Sequence, residues 1–181
     1  MPKYSVAIVP SEEIVVLVAH IKQELSEKIG WFNSKNSQAH ITILEFEANE
    51  KDIEKITNPI KTLCDTLKPI EVSFNHYDAF PNGAFFIAPT DKSRIELKSI
   101  MKQVESVTKH VKNAYRSHEP HISIGRRLDE AKLKTAIETF TDINFSFECD
   151  AIALRVFNEN RKQFAVIEKF PFNDNPNESY E

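Results

Sequence analysis

The chain has 181 residues, of which 41% are hydrophobic and 28% are charged, and its formal net charge is −4. This length suits one domain, or two small lobes that fold as a unit, and the composition is that of an ordinary globular protein. Because tight, sequence-independent binding to long nucleic acid needs a basic surface, the acidic balance argues against that class of protein. A local basic patch could still hold a nucleotide or an RNA end.

The N-terminal residues and the cysteine content indicate a cytoplasmic protein. Met1-Pro2-Lys3-Tyr4 shows no signal peptide pattern, and the apolar run 14–19 is too short to span a bilayer. The two cysteines, Cys64 and Cys149, lack CxxC spacing. They are typical of small core residues in a reducing compartment. We expect a cytoplasmic monomer without a membrane segment.

Strand patterns alternate with helix patterns, and the order of elements is the same in both halves of the chain. The first half predicts a strand, a helix, a strand with a histidine, a helix and a strand, at 4–9, 11–29, 39–46, 49–67 and 69–77. The second half predicts the same series, at 84–88, 91–111, 121–125, 129–140 and 143–156, followed by a hairpin into 163–170. The Asn58-Pro59 pair is able to interrupt or split the second helix.

This order predicts an α+β fold in a single bilobal domain, 1–181. The pseudo-repeat covers roughly 3–80 and 84–170, and residues 171–181, which are polar over 173–179, are expected to form a flexible tail. Each lobe would have a mainly antiparallel sheet covered by helices on its outer face. Two lobes related by a pseudo-twofold axis would enclose a central cleft, which is a common place for a small-molecule site.

The tetrapeptides His40-Ile41-Thr42-Ile43 and His121-Ile122-Ser123-Ile124 are the strongest functional signal. Of the six histidines, only these two have Ser or Thr two positions later. Alternate residues of a strand point to the same face, so each histidine would share a face with its hydroxyl while the isoleucines pack beneath. If the two strands lie side by side, two imidazoles and two hydroxyls form a site suited to acid/base chemistry on an anion such as phosphate.

This pair of motifs, one in each half, resembles the two-histidine phosphoesterase superfamily, which includes RNA ligase-like proteins and 2′,3′-cyclic nucleotide phosphodiesterases. The resemblance covers about 4–170, and the second copy is also similar to the family in having Pro120 and Arg126 around the motif. The resemblance implies that His40 and His121 are catalytic and that Thr42 and Ser123 bind the substrate. It implies neither a metal nor a cofactor.

The resulting hypothesis is a metal-independent phosphoesterase that hydrolyses 2′,3′-cyclic phosphates or 2′,5′-phosphodiesters. Because free histidine titrates at about pH 6.5, one ring could take a proton from the attacking water while the other gives one to the departing ribose oxygen. The sequence leaves open which histidine has which role, and whether the cell uses hydrolysis or ligation. The expected partner is a nucleotide or an RNA terminus that carries such a phosphate, and neither a membrane nor long duplex nucleic acid.

Other classes of function have less support in the sequence. A non-catalytic module could hold a nucleotide or an RNA terminus in the same cleft. If the protein is an enzyme instead, replacing either histidine should abolish turnover but only weaken binding. A metal hydrolase is disfavoured because no HxH or HExxH spacing is present. A serine or cysteine nucleophile enzyme is disfavoured because there is no GxSxG elbow and the chain has only three glycines.

Side chains close to the motifs give further expectations. Strict strand alternation places Glu45 on the face opposite His40, and it weakens Arg126 as a direct phosphate ligand. Trp31-Phe32 is predicted to anchor its loop, and Tyr115-Arg116 is predicted to lie in a solvated loop.

Overall fold

The computed structural model describes residues 1–175, and residues 176–181, the end of the predicted tail, lie outside the described residues. The described chain forms helices and antiparallel sheets, which confirms the α+β class. The strands are β1 Lys3–Ile8, β2 Ile41–Glu47, β3 Ile70–Phe80, β4 Ala84–Pro89, β5 Tyr115–Arg116, β6 Ile122–Gly125, β7 Phe145–Cys149, β8 Ala151–Asn158 and β9 Gln163–Pro171. The helices are α1 Glu12–Ile29, α2 Ile53–Thr66, α3 Asp91–Val107 and α4 Glu130–Thr139, and a 3-10 turn, Glu50–Asp52, precedes α2.

The strands form two sheets whose membership crosses the boundary between the halves. The first sheet has the order β5-β2-β1-β8-β9 and the second has the order β6-β4-β3-β7. Strand β3 comes from the first half yet pairs with β4 and β7, whereas β8 comes from the second half yet pairs with β1. Because each half gives strands to the other sheet, the buried apolar side chains of both sheets form one continuous cluster.

The single strand predicted at 143–156 is wrong, because this segment contains two strands that belong to different sheets. Cys149 at the end of β7 pairs with Ile70 in the second sheet, and Ala151 at the start of β8 pairs with Pro171 in the first. The chain passes from one sheet to the other at Asp150. Both strands are rich in buried apolar residues. The hydrophobic pattern of the sequence is therefore continuous across Asp150, although the strand ends there.

Helix α2 continues through Pro59 without the predicted interruption. A proline inside a helix has no N–H for the carbonyl four residues earlier, which here is that of Lys55. The His110 ring lies in the missing donor's place, with its Nε2 3.2 Å from the Lys55 carbonyl oxygen. A side chain from the α3–β5 loop therefore satisfies the helical group that the proline leaves unpaired. No helix within 1–175 is both long enough and apolar enough to cross a membrane.

The first residues of the predicted flexible tail are held by hydrogen bonds. Residue Pro171 ends β9, and the backbone N–H of Asn173 donates to the Cys64 carbonyl at 3.2 Å. The Asn173 side chain also donates to Asp65 at 2.7 Å. The prediction of a free tail from residue 171 is therefore wrong over 171–175, because the end of α2 offers carbonyl and carboxylate acceptors.

Candidate active site

His40 and His121 occupy equivalent positions, each one residue before the strand that carries its motif. The Nδ1 atom of His40 lies 2.7 Å from the Gln38 carbonyl oxygen, and that of His121 lies 2.7 Å from the Glu119 carbonyl oxygen. A carbonyl only accepts hydrogen bonds, so both Nδ1 atoms carry a proton. In the neutral form of each ring, the lone pair is therefore on Nε2, the nitrogen that is left for chemistry.

The four predicted site residues line two cavities that adjoin. Thr42, His121 and Ser123 line a cavity of about 340 Å³ between the two sheets. His40 lines a neighbouring cavity of about 660 Å³. The two cavities share Glu45, Arg126 and Arg127 in their walls, so they open onto one cleft. The motif strands belong to different sheets, so the side-by-side arrangement considered from the sequence does not occur.

Glu45 and Arg126 line this cleft because a β-bulge falls on the last residue of each motif. The β1–β2 register moves from Val6↔Leu44 to Ala7↔Thr42, which leaves Ile43 unpaired. The β4–β6 register moves from Phe85↔Gly125 to Phe86↔Ser123, which leaves Ile124 unpaired.

An extra residue in one strand shifts the alternation of its side chains by one position. Glu45 therefore faces the cleft together with Thr42, and Arg126 faces it together with Ser123. The predictions that strand alternation turns Glu45 away from the site and weakens Arg126 as a ligand are wrong for this reason.

His40 is surrounded by positive charge. Its side chain is only 8% exposed, and burial lowers the pKa of its imidazole well below the ordinary value. The nearby cations of Arg155, Arg126 and Lys22 lower this pKa further, although the hydrogen bond to the Gln38 carbonyl opposes them. Burial and like charge both disfavour the protonated ring. His40 is therefore held in its neutral form.

His121 has neighbours of both charges, which shift the pKa of its imidazole in opposite directions. Burial lowers the pKa of this imidazole, and Arg126 adds to the effect, while the bond to the Glu119 carbonyl and the Glu119 carboxylate both oppose it. Arg94 donates to this carboxylate through two nitrogens, at 2.7 and 2.9 Å, which lowers the pKa of Glu119 and keeps it ionised. The ring of Phe86 packs beside the imidazole, with centroids 5.1 Å apart.

Arg155 is a buried cation of the first sheet that was not among the site residues predicted from the sequence. Its side chain is 3% exposed, and Nη2 donates to the Ser5 hydroxyl at 2.8 Å. Its guanidinium carbon lies 5.0 Å from the centre of the Phe164 ring. Ser5 pairs with Glu45 on one side and with Arg155 on the other, so these three residues form a row across three strands.

Burial lowers the pKa of Arg155 to about 10, while Glu45 opposes that shift. The guanidinium Nε is buried and has no hydrogen-bond partner among the described residues. A charged residue inside the apolar run 151–156 was the signal available in the sequence, because charged side chains are seldom fully buried without a role.

The loop that precedes His40 in the sequence also contacts the second motif. We call residues 31–39 the motif loop. Lys22 of α1 is 2% exposed and donates to the carbonyls of Ser34 and Ser37, at 3.0 and 2.6 Å. The Ser34 hydroxyl donates to the Ile124 carbonyl at 2.9 Å, so the loop is tied to the second motif as well. Burial and Arg126 lower the pKa of Lys22 to about 8.

The remaining predictions about nearby side chains have mixed outcomes. Phe32 is buried and anchors the motif loop as predicted, whereas Trp31 is 68% exposed. The prediction of a solvated loop at Tyr115-Arg116 is wrong, because these residues form the short strand β5 beside β2, from which Tyr115 lines the cleft wall. Arg116 donates instead to the Thr108 hydroxyl and carbonyl, at 2.9 and 2.7 Å, which assigns it a structural role. Within 1–175, no three His, Cys, Asp or Glu side chains are grouped as a metal site would require.

Several solved structures share this fold. TT0787 of Thermus thermophilus has a TM-score of 0.68 at 16% identity, covering 94% of this chain and 98% of its own. LigT of E. coli without ligand has a TM-score of 0.67 at 14% identity, covering 94% and 97%. Usb1 of Kluyveromyces marxianus has a TM-score of 0.55 at 15% identity, covering 94% and 96%. LigT is also known in complexes with 3′-AMP, with NADP+ and with ATP.

The amino-acid sequence matches a family model as well. No curated protein sequence matches the chain. The model of the 2′-5′ RNA ligase superfamily matches residues 10–161, a range that includes both histidine motifs. The match covers most of the chain, and the solved structures agree with it in fold over nearly the whole length. The resemblance found from the two motifs is thus confirmed, and the chain belongs to the 2′-5′ RNA ligase superfamily.

Proposed function

We propose that the protein is a metal-independent phosphoesterase that hydrolyses 2′,3′-cyclic phosphates or 2′,5′-phosphodiesters of nucleotides or RNA ends. The observation that carries this proposal is the matched tautomer of the two histidines. Both rings donate from Nδ1 to a backbone carbonyl two residues earlier, at 2.7 Å, which leaves both Nε2 atoms for proton transfer. The membership of the superfamily and the complexes of LigT with nucleotides are consistent with a phosphate ester as substrate.

In the proposed hydrolysis, His40 acts as the general base. The positive charges around it favour the neutral ring. Its Nε2 takes a proton from a water molecule as the water oxygen attacks phosphorus. General base catalysis of this kind typically contributes about 10²–10⁴-fold.

His121 acts as the general acid in the same direction. The Glu119 carboxylate favours its protonated form relative to that of His40. As the bond between phosphorus and the ribose oxygen breaks, the His121 Nε2 proton goes to that oxygen. A cyclic phosphate thereby becomes a phosphomonoester beside a free hydroxyl. In the reverse direction the two roles are exchanged.

Thr42, Ser123 and Arg126 would hold the phosphate. All three line the cavity that contains His121. The two hydroxyls donate hydrogen bonds to the non-bridging oxygens, and the guanidinium supplies a compensating charge as negative charge builds up on them. Fixed donors also hold phosphorus in line with the attacking water.

The experiment that tests the proposal measures hydrolysis of the four nucleoside 2′,3′-cyclic phosphates in the presence of EDTA. The parent protein is compared with His40→Ala, His121→Ala and His118→Ala. His118 is an exposed loop histidine three residues from the second motif, so it serves as the matched control. We expect turnover by the parent and the control, and a loss of at least about 10³-fold in kcat for each motif variant.

Binding must be measured in the same proteins, because a module that only binds would give a different result. Binding of 3′-AMP by all four folded proteins without turnover of any cyclic nucleotide or 2′,5′-linked dinucleotide would contradict the proposed hydrolysis and favour the binding module. Activity that disappears in EDTA and returns with a divalent cation would contradict metal independence.

A further inference from the structure

The cavity that contains His40 is lined by an unusual concentration of positive charge. We call it the basic basin. The chain as a whole has a net charge of −4. Five basic side chains nevertheless line this one cavity, namely Lys35, Arg126, Arg127, Arg161 and Lys162. Among the described residues in its wall, Glu45 is the only carboxylate. This concentration of positive charge exceeds what is needed to bind a single phosphate. It favours a ligand that carries several negative charges.

Aromatic side chains accompany these cations. The rings of Phe157 and Phe164 lie in the wall, with their centroids 5.3 Å apart. Trp31 lies at the mouth and is 68% exposed, although the neighbouring Phe32 is fully packed in the core. Exposed tryptophan beside basic residues is typical of surfaces on which nucleobases stack while the cations follow the phosphates.

The backbone at the basin adopts conformations that its residues disfavour. Ser34, Arg127 and Lys162 all have positive φ angles, of 76°, 54° and 55°. Glycine or asparagine adopts this region at lower cost than a long basic side chain. Residues held in such conformations concentrate at functional sites. Arg127 and Lys162 thus retain charged side chains at positions where the backbone favours smaller residues.

The basic basin lies next to the cavity in which the proposed reaction takes place. It adjoins the cavity of His121 and Ser123 through Arg126 and Arg127. A phosphate held between the two histidines would therefore have the basin on one side. The wall of the basin includes His40 and Arg161 of the β8–β9 turn, so positive charge is available beyond the place of the reacting phosphate.

We propose that the basic basin binds the single-stranded nucleotides that precede the reacting phosphate, with one base stacked on Trp31. This inference rests on the proposed function and narrows its substrate class. The preferred substrate is an oligoribonucleotide end and not a free cyclic mononucleotide. Recognition is through charge and stacking, so it tolerates different base sequences.

Trp31 is the only tryptophan of the chain, so its fluorescence reports on the basin directly. The first measurement titrates the protein with a single-stranded oligoribonucleotide of about six nucleotides that ends in a 3′-phosphate, a ligand that cannot be hydrolysed at a cyclic ester. We expect quenching of Trp31, and a binding constant that falls steeply with salt because several phosphates are neutralised. Trp31→Ala should weaken binding by at least about fivefold when binding is followed by a labelled oligonucleotide.

The second measurement compares kcat/KM for the same oligonucleotide ending in a 2′,3′-cyclic phosphate with kcat/KM for the cyclic mononucleotide. Arg161→Glu combined with Lys162→Glu should lower the preference for the oligonucleotide by at least about tenfold. Lys92→Glu combined with Lys102→Glu is the matched control, because it makes the same change of charge at two exposed lysines of α3. The control should leave the preference unchanged.

The outcomes separate this inference from the proposed function. Turnover of cyclic mononucleotides without any preference for the oligonucleotide would overturn the inference and leave the function intact. Oligonucleotide binding at Trp31 without turnover would contradict the function and support the basin. Equal Trp31 quenching by inorganic polyphosphate, which has no bases, would overturn base stacking. An equal effect of the α3 control would show a response to total charge and would overturn the basin as a site.

Discussion

Glu45 and Arg126 occupy equivalent positions in the two halves, each five residues after a motif histidine, and both line the cleft between the sheets. Each reaches the cleft because a bulge at the preceding isoleucine, Ile43 or Ile124, reverses the strand alternation. The fold is therefore pseudosymmetric at this level, while the charges are opposite. A phosphate in the cleft is attracted from the β6 side and repelled from the β2 side.

Replacing Glu45 by Gln should tighten the binding of a simple anion. Two unit charges about 4 Å apart in water interact by about 1 kcal/mol. We therefore expect the Kd of inorganic phosphate, measured by calorimetry, to fall by about two- to tenfold. Glu71→Gln, at an exposed carboxylate of β3, is the control and should not change the Kd. Weaker phosphate binding by Glu45→Gln would show that the carboxylate supports Arg155 or Arg126 more than it repels the ligand.

The sequence was sufficient for the features that depend on local pattern. The two motifs singled out His40 and His121, which line adjoining cavities, and their spacing in a repeated order of elements predicted two sheets around a cleft. Helices α3 and α4 begin within one residue of their predicted starts at 91 and 129. Asp129 caps α4, whereas α3 is capped by Thr90, one residue before its predicted start. These signals lie within a few residues of the feature that they predict.

The cleft-facing charges could not be read from the sequence because they depend on register and on topology. The sequence does not distinguish an isoleucine at a β-bulge from one that is paired in a regular sheet. Strict alternation therefore placed Glu45 on the wrong face. Arg155 reaches the first sheet only because β8 returns to pair with β1. Lys22 acts on a loop more than ten residues away, and only the packing of α1 brings them together.

Replacing Arg155 by Met should move the low-pH side of the rate profile. Arg155 is the largest charged contributor to the lowered pKa of His40, so its removal should raise that pKa toward the ordinary value. In its proposed role as the base, His40 works in the neutral form and loses activity when pH falls through its pKa. The low-pH limb of kcat/KM should therefore shift to higher pH in Arg155→Met.

Arg155→Lys is the matched control for this experiment, because it keeps the positive charge. It should leave the limb closer to its original position than Arg155→Met does. A uniform loss of activity at every pH in Arg155→Met, with both limbs in place, would show that the guanidinium is needed for packing on Phe164 and not for the charge state of His40.

Replacing Lys22 by Met should loosen the motif loop. The carbonyls of Ser34 and Ser37 would lose their donor, and an unsatisfied buried acceptor costs about 1–3 kcal/mol. We expect the free energy of unfolding in urea to fall by about this amount at about pH 10, where the buried amine is uncharged and removing it relieves no buried charge. Lys28→Met, at an exposed lysine in the last turn of the same helix, should change it by less than about 0.5 kcal/mol.

The pH dependence of the same difference gives an independent test. The pKa of Lys22 is about 8 in the folded protein and has an ordinary value of 10.5. Between these two values the unfolded chain binds more protons at this lysine than the folded chain, so the wild-type protein gains stability as pH rises. Lys22→Met lacks this group. The difference in unfolding free energy between the wild type and Lys22→Met should therefore grow from pH 8 to about pH 10.5. A difference that stays constant over this range would contradict the lowered pKa of Lys22.

Replacing Gly83 by Ala should disrupt the turn that supports the segment after the second motif. Gly83 has a φ of 92°, and a Cβ there would lie 2.8 Å from the backbone nitrogen of Leu128. The same nitrogen donates to the Gly83 carbonyl at 3.0 Å, so the clash falls on the contact that places Arg126 and Arg127 at the cleft. Gly30 provides the control, because its φ is 80° and an added Cβ would meet no atom within 4 Å.

Both alanine variants carry the cost of a backbone conformation that favours glycine, which is about 1–3 kcal/mol, and only Gly83→Ala adds a backbone clash. Urea unfolding should therefore show a loss for Gly83→Ala that exceeds the loss for Gly30→Ala by at least about 1 kcal/mol. Gly83→Ala should also raise the Kd of inorganic phosphate, because displaced Leu128 backbone moves the adjacent arginines. Equal losses in the two variants would mean that the Leu128 backbone yields without cost, and the turn would then have no part in holding Arg126.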